Sequence, residues 1–188
     1  MKHRHFIMHK PYGFLSQFIN NQTKRKKRLL GELYDFPEGT MAIGRLDFNS
    51  EGLLLLTTDG KISEQVRSKK VAKEYYVQVD GIITQKAIEK LQKGVEIGFD
   101  GKKYITKPCK VISIAPPGFP NRTQKIRDDR HGPTSWISVT IREGKFRQVR
   151  KMTAAAGYPT LRLIRVRVGK ILLNNLKLGA VKELETLL

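Results

Sequence analysis

Phe6 to His9 is a short apolar run stopped by Pro11 and Gly13, the pattern of a strand entering a turn. Phe14 to Ile19 reads as a second strand and Leu29 to Tyr34 as a short helix. Met41 to Ile43 and Leu53 to Leu56 are apolar stretches on either side of a polar turn, as buried strands would be. Gly60 to Ser68 has Ile62 and Val66 at helical spacing. In Glu74 to Val79, Tyr75, Val77 and Val79 alternate with Tyr76, Gln78 and Asp80, which predicts a strand. Gln85 to Lys93 predicts a helix with an apolar face of Ala87, Ile88 and Leu91, capped by Thr84 and ended by Gly94. Val111 to Ile114 is a strand, Pro116 to Pro133 a long loop, and Ser135 to Ile141 an alternating strand. Phe146 to Ala156 predicts a helix ended by Gly157, and Leu161 to Val168 a strand carrying Arg162, Arg165 and Arg167. Strands and helices mix without a regular strand-helix-strand repeat, so the fold class is α+β, a mixed sheet rather than a doubly wound one.

At 188 residues the chain has room for one large domain or two small subdomains sharing a cleft. Charge changes the picture more than length does. Thirty-six Lys and Arg against seventeen Asp and Glu give 36 − 17 = +19. A partner rich in negative charge follows, and nucleic acid comes first because each neutralised phosphate releases counterions. A membrane surface is the weaker reading, with no basic amphipathic helix and no run long enough to span a bilayer. Asn20 to Arg28, with Lys24 to Arg28 all basic, reads as a surface loop, either a solvated charge run or a phosphate contact. One cysteine, Cys109, excludes an internal disulfide, and no apolar leader follows Met1. Both facts suit a reducing cytoplasm.

Three places could carry chemistry. Asp47 lies in the polar turn, two residues after Arg45. A side chain bonded to nearby amides of its own turn is the plainer reading of Asp47 on spacing alone; Arg45 could instead orient the carboxylate or steer a phosphate. In Glu143 to Met152, Phe146, Val149, Met152 and Ala156 form a helical stripe facing the core, leaving Arg147, Arg150 and Lys151 on the neighbouring face. That face is either solvated or lends an arginine to a carboxylate in a cleft. In Lys73-Glu74-Tyr75-Tyr76, consecutive tyrosines point to opposite faces, so one can pack inward while the other offers a ring for a base. Both tyrosines in core or cross-strand pairs is the blander alternative. His3, His5 and His9 lack carboxylate or thiolate neighbours at ligand spacing, so no metal site is expected. Cys109 lacks an obvious base and reads as a packed thiol.

These residues resemble a known family. Gly44-Arg45-Leu46-Asp47 with Ser50-x-Gly52-Leu53-Leu54 and Thr57-x-Asp59-Gly60 is similar to the signature of the ribosomal RNA pseudouridine synthases of the RsuA type. Lys73-x-Tyr75 and Glu143-Gly144-Lys145-x-Arg147-Gln148-Val149-Arg150-Lys151-Met152 match its other two motifs in order, and Lys10-Pro11-Tyr12-Gly13 its opening. His9 and Thr58 stand where Asn is usual, neither at a catalytic position. Pro133 to Trp136 and Gly157 to Arg165 resemble the branch acting on large-subunit (23S) ribosomal RNA.

The resemblance implies a pseudouridine synthase fold, a mainly antiparallel sheet with flanking helices around a central cleft, as a single catalytic domain over residues 1–188 without an N-terminal RNA-binding accessory domain. It implies isomerisation of a uridine to pseudouridine with no cofactor and no metal. Asp47, Tyr75 and Arg150 take the catalytic positions: Asp47 as the carboxylate acting at the sugar, Arg150 keeping it ionised, Tyr75 stacking on the uracil. Arg45, Lys73, Arg147, Lys151 and Arg165 are the expected RNA contacts. The implied partner is ribosomal RNA or a pre-ribosomal particle, bound by a cytoplasmic monomer. A non-catalytic RNA-binding or assembly protein, and a glycosylase releasing free base, are the competing readings.

Overall fold

In the computed structural model, residues 2–19, 27–68 and 71–187 are described. The basic segment read as a surface loop lies mostly outside them, at residues 20–26. The chain forms two compact units, Met1–Val71 with Arg165–Leu188, and Ala72–Ile164. The fold is α+β with a mainly antiparallel sheet.

The first unit is organised around β3 (Glu51–Thr57), every residue of which is buried. An unbroken Leu53 to Leu56 run suits a strand covered on both faces. One edge of β3 takes β1 (His5–Lys10) along its length, with His5 opposite Thr57 and Lys10 opposite Gly52. The other edge is shared by β2 (Met41–Ile43) and β9 (Thr160–Val168). Approach to β9 is so close at Gly52 that an added Cβ would lie 2.3 Å from the Arg165 carbonyl oxygen, and φ there is +107°. Only glycine fits. The last strand, β11 (Val181–Leu184), closes on the far side of β1, and β10 (Ile171–Leu172) pairs with β9. Helix α1 (Gly60–Arg67) starts at Asp59, whose carboxylate accepts from the Lys61 and Ile62 amides, and buries Val66. Rings of Phe6, Phe18, Tyr34 and Phe36 pack edge to face over the sheet.

In the second unit the strand order is β9, β4 (Lys73–Asp80), β8 (Thr134–Ile141), β7 (Lys110–Ile114). Opposite one another on β4 and β8 stand Tyr75 and Val139, then Val77 and Ile137. This face joins Ala87, Ile88 and Leu91 of α2 (Gln85–Lys93) and Val149 and Met152 of α3 (Gln148–Ala155) in one core. Thr84 Oγ1 accepts from the Ala87 amide, and Gly94 ends α2 where a Cβ would meet the Thr106 carbonyl at 2.2 Å.

Three expectations are corrected. Phe14 to Ile19 is not a strand; it makes one isolated bridge, Phe14 to Arg28. Leu29 to Tyr34 forms a single 3-10 turn, Leu30–Glu32, too short for a helix. The helix expected from Phe146 starts two residues later, because Arg147 adopts the left-handed region (φ +52°) and breaks the ladder there. Phe146 therefore leaves the core stripe and is 66% exposed. A hairpin of β5 (Glu96–Phe99) and β6 (Lys102–Ile105) falls where no strand was read; its two strands are only four residues each. No helix among the described residues is long and apolar enough to cross a membrane.

Charge is also buried. Lys10 is fully covered, and its Nζ donates to the carbonyls of Ser50 (2.7 Å) and Pro11 (2.9 Å). Burial pushes its pKa down to about 7; the Glu51 and Asp47 carboxylates pull it back up and Arg165 opposes them. The unfolded lysine keeps its ordinary value of 10.5. Between about 7 and 10.5 the unfolded chain therefore holds a proton that the native chain has released, and stability rises with pH across that window. Below it, both states carry the proton and the full cost of burying the charge remains. Comparison with Lys10→Met isolates this group: the unfolding free energy of the wild type relative to the variant should increase from pH 7 towards 10, with a limiting slope of about 1.4 kcal/mol per pH unit. Denaturant unfolding at stepped pH reads it, and a pH-independent difference would show an unshifted ammonium.

Candidate active site

Asp47 is placed by its backbone. Leu46 beside it is buried, and the Ser16 hydroxyl both donates to the Leu46 carbonyl (2.8 Å) and accepts from the Leu46 amide (3.0 Å). The Ser50 amide closes the turn on the Asp47 carbonyl (3.0 Å), and the Gly13 amide donates to the Phe48 carbonyl (2.8 Å). Lys10 holds the far end of the turn at the Ser50 carbonyl. Five hydrogen bonds thus fix a seven-residue turn, while the Asp47 side chain is half-buried and Arg45 exposed. Entry to the turn uses Gly44 at φ +69°. The sequence reading passed over Ser16, and gave Lys10 no part beyond the family's opening motif; a serine in an irregular segment carries no signal of a contact thirty residues away.

The second unit holds Lys73, Tyr75, Arg147, Arg150 and Lys151. Tyr75 packs part of its ring on the unit's core and keeps the rest exposed. Tyr76 points to the other face of β4 and meets the Phe119 ring at 6.4 Å. Arg147 is exposed at the start of α3, Arg150 half-buried, and Lys151 Nζ donates to the Gly98 carbonyl (2.7 Å).

What aims this segment is Glu143, which sequence reasoning missed as a working residue. It is buried, and its carboxylate accepts from the Tyr104 hydroxyl, the Lys107 amide (2.9 Å) and the Gln148 side-chain amide (2.7 Å). Gln148 in turn accepts from the Lys145 amide (3.1 Å). Burial alone would raise the Glu143 pKa, but the hydrogen bonds from Tyr104, Lys107 and Gln148 outweigh it and hold it below the ordinary glutamate value. An ionised buried hub therefore locks residues 143–148 in one conformation. A single acid inside Glu143-Gly144-Lys145-x-Arg147 was the available signal.

Arg165, expected on RNA, is buried, and its Nε donates to the Leu53 carbonyl (2.8 Å). It ties β9 to β3 inside the first unit, which corrects the surface role. The long loop before β8 is anchored by Arg127, whose Nη2 reaches Asp80 (2.7 Å) and the Pro133 carbonyl (3.1 Å). With β4 and β8 it lines an open, polar cavity of about 540 Å³.

The histidines are occupied structurally: His9 Nδ1 donates to the Leu176 carbonyl (2.9 Å), and His5 Nδ1 meets the Thr57 hydroxyl (2.8 Å). Among the described residues no three His, Cys, Asp or Glu side chains gather as a metal site. Burial pushes the Cys109 thiol up to about 11, with the charge of Glu143 adding to it, and its Sγ donates to the Leu91 carbonyl (3.4 Å). A thiol so placed is no nucleophile at neutral pH.

Comparison with known proteins agrees with this arrangement. The family model described as RNA pseudouridylate synthase matches residues 4–155. Ribosomal large subunit pseudouridine synthase E of Vibrio parahaemolyticus is 41% identical over 95% of this chain and 73% of its own length. The protein of the same name from Xanthomonas campestris is 42% identical over 92% of this chain and 91% of its own. A crystal structure of a pseudouridylate synthase superposes with a TM-score of 0.74 at 27% identity, covering 97% of this chain and 70% of that one. The fold is that of the pseudouridine synthases, and the chain belongs to the RNA pseudouridylate synthase family.

Proposed function

We propose that this protein isomerises a specific uridine of large-subunit ribosomal RNA to pseudouridine, in the cytoplasm, with Asp47 as the catalytic carboxylate. The observation that carries the assignment of Asp47 is the bracing of its turn by Ser16, Gly13 and Lys10, which holds the backbone while leaving the side chain half-exposed. Catalysis rewards that rigidity, because a reacting group displaced by an ångström loses much of its effect.

The reaction breaks the bond from uracil N1 to C1′, rotates the uracil and joins C5 to C1′, which also ends any bond from C1′ to the enzyme or returns any proton taken from the sugar; C5 then loses its proton and N1 takes one up, so the product is an isomer. Asp47 either adds to C1′ or removes a sugar proton; in both routes its charge stabilises positive character on the sugar. Arg150 is the cation assigned to keep it ionised. Tyr75 lies against the base, Arg45 takes the place of the extruded uracil or its phosphate, and Lys73, Arg147 and Lys151 contact the backbone. Extrusion is required, since a stacked uridine hides C1′ and C5; unstacking costs about a few kcal/mol. The net charge of +19 supplies phosphate contacts that offset it. Under the same proposal the protein acts as a monomer, on ribosomal RNA or an assembling particle, and without a cofactor.

Incubating the protein with large-subunit ribosomal RNA, digesting, and analysing the nucleosides separates the readings: pseudouridine supports the proposal, free uracil points to a glycosylase, and neither to a binder. Asp47→Asn should lower turnover on the order of a thousandfold or more while RNA affinity stays within a few-fold; retained turnover removes Asp47 from the chemistry. Tyr75→Phe keeps the ring and tests the hydroxyl, so a large fall in turnover at unchanged affinity assigns the oxygen a part in the proton loss. RNA affinity should fall with salt, with a logarithmic slope of about −0.7 per phosphate contacted on single strands. A flat response would contradict the electrostatic argument.

A further inference from the structure

The core stripe of α3 is Gln148, Val149, Met152 and Thr153, and Phe146 has no place in it. It is the most exposed phenylalanine among the described residues, at 66%. Its position is nonetheless fixed. The Glu143, Gln148 and Lys145 hydrogen bonds bracket it in the chain, and Arg147 turns the backbone at φ +52° immediately after it. Lys151 Nζ stands 5.5 Å from the ring centroid and is itself moored on the Gly98 carbonyl. Lys145, its other neighbour, lies over the rings of Phe99 (4.4 Å) and Tyr104 (4.9 Å), and Arg147 is exposed. An apolar ring held rigidly in water gains nothing for folding. With the Lys151 ammonium over it and Lys145 and Arg147 flanking it in the chain, it has the composition of a surface for single-stranded nucleic acid: a π-face for a base and cations for nearby phosphates.

We propose that Phe146 is a stacking platform for an unpaired base of the RNA substrate, next to but distinct from the uridine that reacts. The inference rests on the assignment of an RNA substrate and adds a position to it. A protein surface would also cover an exposed ring, but the Lys151 ammonium over it and the basic residues on either side of it in the chain favour a polyanion over an apolar partner. Rigidity matters here, since a platform already in place loses little freedom when the base arrives. Stacking tolerates any base, so the site contributes affinity and register rather than base identity.

The test measures binding to a single-stranded oligouridylate and to protein-free large-subunit ribosomal RNA. Phe146→Tyr should bind like wild type, and Phe146→Leu should bind roughly five- to a hundredfold more weakly. The salt slope should be the same for both, because no phosphate contact is removed, whereas Lys151→Gln should flatten it. Phe146→Trp gives an optical readout: the only other tryptophan, Trp136, is buried, so quenching of emission on adding oligouridylate reports a base on residue 146. Equal affinity of the Leu and Tyr variants, or no quenching, overturns the platform. If the wild type makes pseudouridine while the Leu variant binds normally, the platform alone fails. If the Leu variant binds weakly and no pseudouridine forms, the enzymatic assignment alone fails.

Discussion

Two hydrogen bonds from one buried amine hold the Asp47 turn to the sheet. Lys10 Nζ reaches the Ser50 carbonyl, where the turn hands over to β3, and the Pro11 carbonyl, where β1 ends. A hydrophobic side chain of equal size would fill the same space and leave both carbonyls unsatisfied. The arrangement places a titratable group beneath the turn, and the carboxylates of Asp47 and Glu51 are among the charges that act on it. Gly52 completes the constraint from the other side: with no Cβ, β3 closes on the Arg165 backbone and the turn has one place to sit.

The second unit solves the same problem with an acid where the first uses a base. Glu143 is buried, ionised, and surrounded by donors from β6, from the segment before β7 and from α3. Its hydrogen bonds do for residues 143–148 what Lys10 and Ser16 do for residues 44–50. Each motif therefore carries two kinds of residue. Some face solvent, such as Arg45, Phe146 and Arg147; others, such as Glu143, Gln148, Ser50 and Gly52, are turned inward and shape the backbone that presents them.

Elements with strong local patterns were legible before any coordinates. Helix α2 runs over the residues its cap, apolar face and glycine indicated, and β4 and β8 follow their alternation. The motifs around Asp47, Tyr75 and Arg150 carried the family itself, because three ordered motifs at fixed spacing are specific. What failed had non-local causes. Phe146 fits a helical stripe by spacing, yet one residue in the left-handed region shifts the helix start and throws it outward. Arg165 reads as a surface cation on an alternating strand, but β9 is covered on both sides and its guanidinium finds a carbonyl across the sheet. The β5–β6 hairpin was missed because its strands are four residues each: Val95, Ile97 and Phe99 do alternate with Glu96 and Gly98, but over too short a span to stand out.

The chain order of the two units has a consequence for biosynthesis. Residues Ala72–Ile164 are contiguous, whereas the first unit is interrupted by them and needs Arg165–Leu188 to be whole. Strand β1 leaves the ribosome among the first segments, yet its partner β11 is among the last, joined to it by the pairing of His5 with Leu184. The inserted unit has its full sequence available while β1 still waits with one edge unpaired, and so long a loop closure makes that final pairing slow. Nascent chains of this protein thus pass through a stage in which the β1 edge covered by β11 is unshielded, and the arrival of Val181–Leu184, not completion of the inserted unit, ends that exposure.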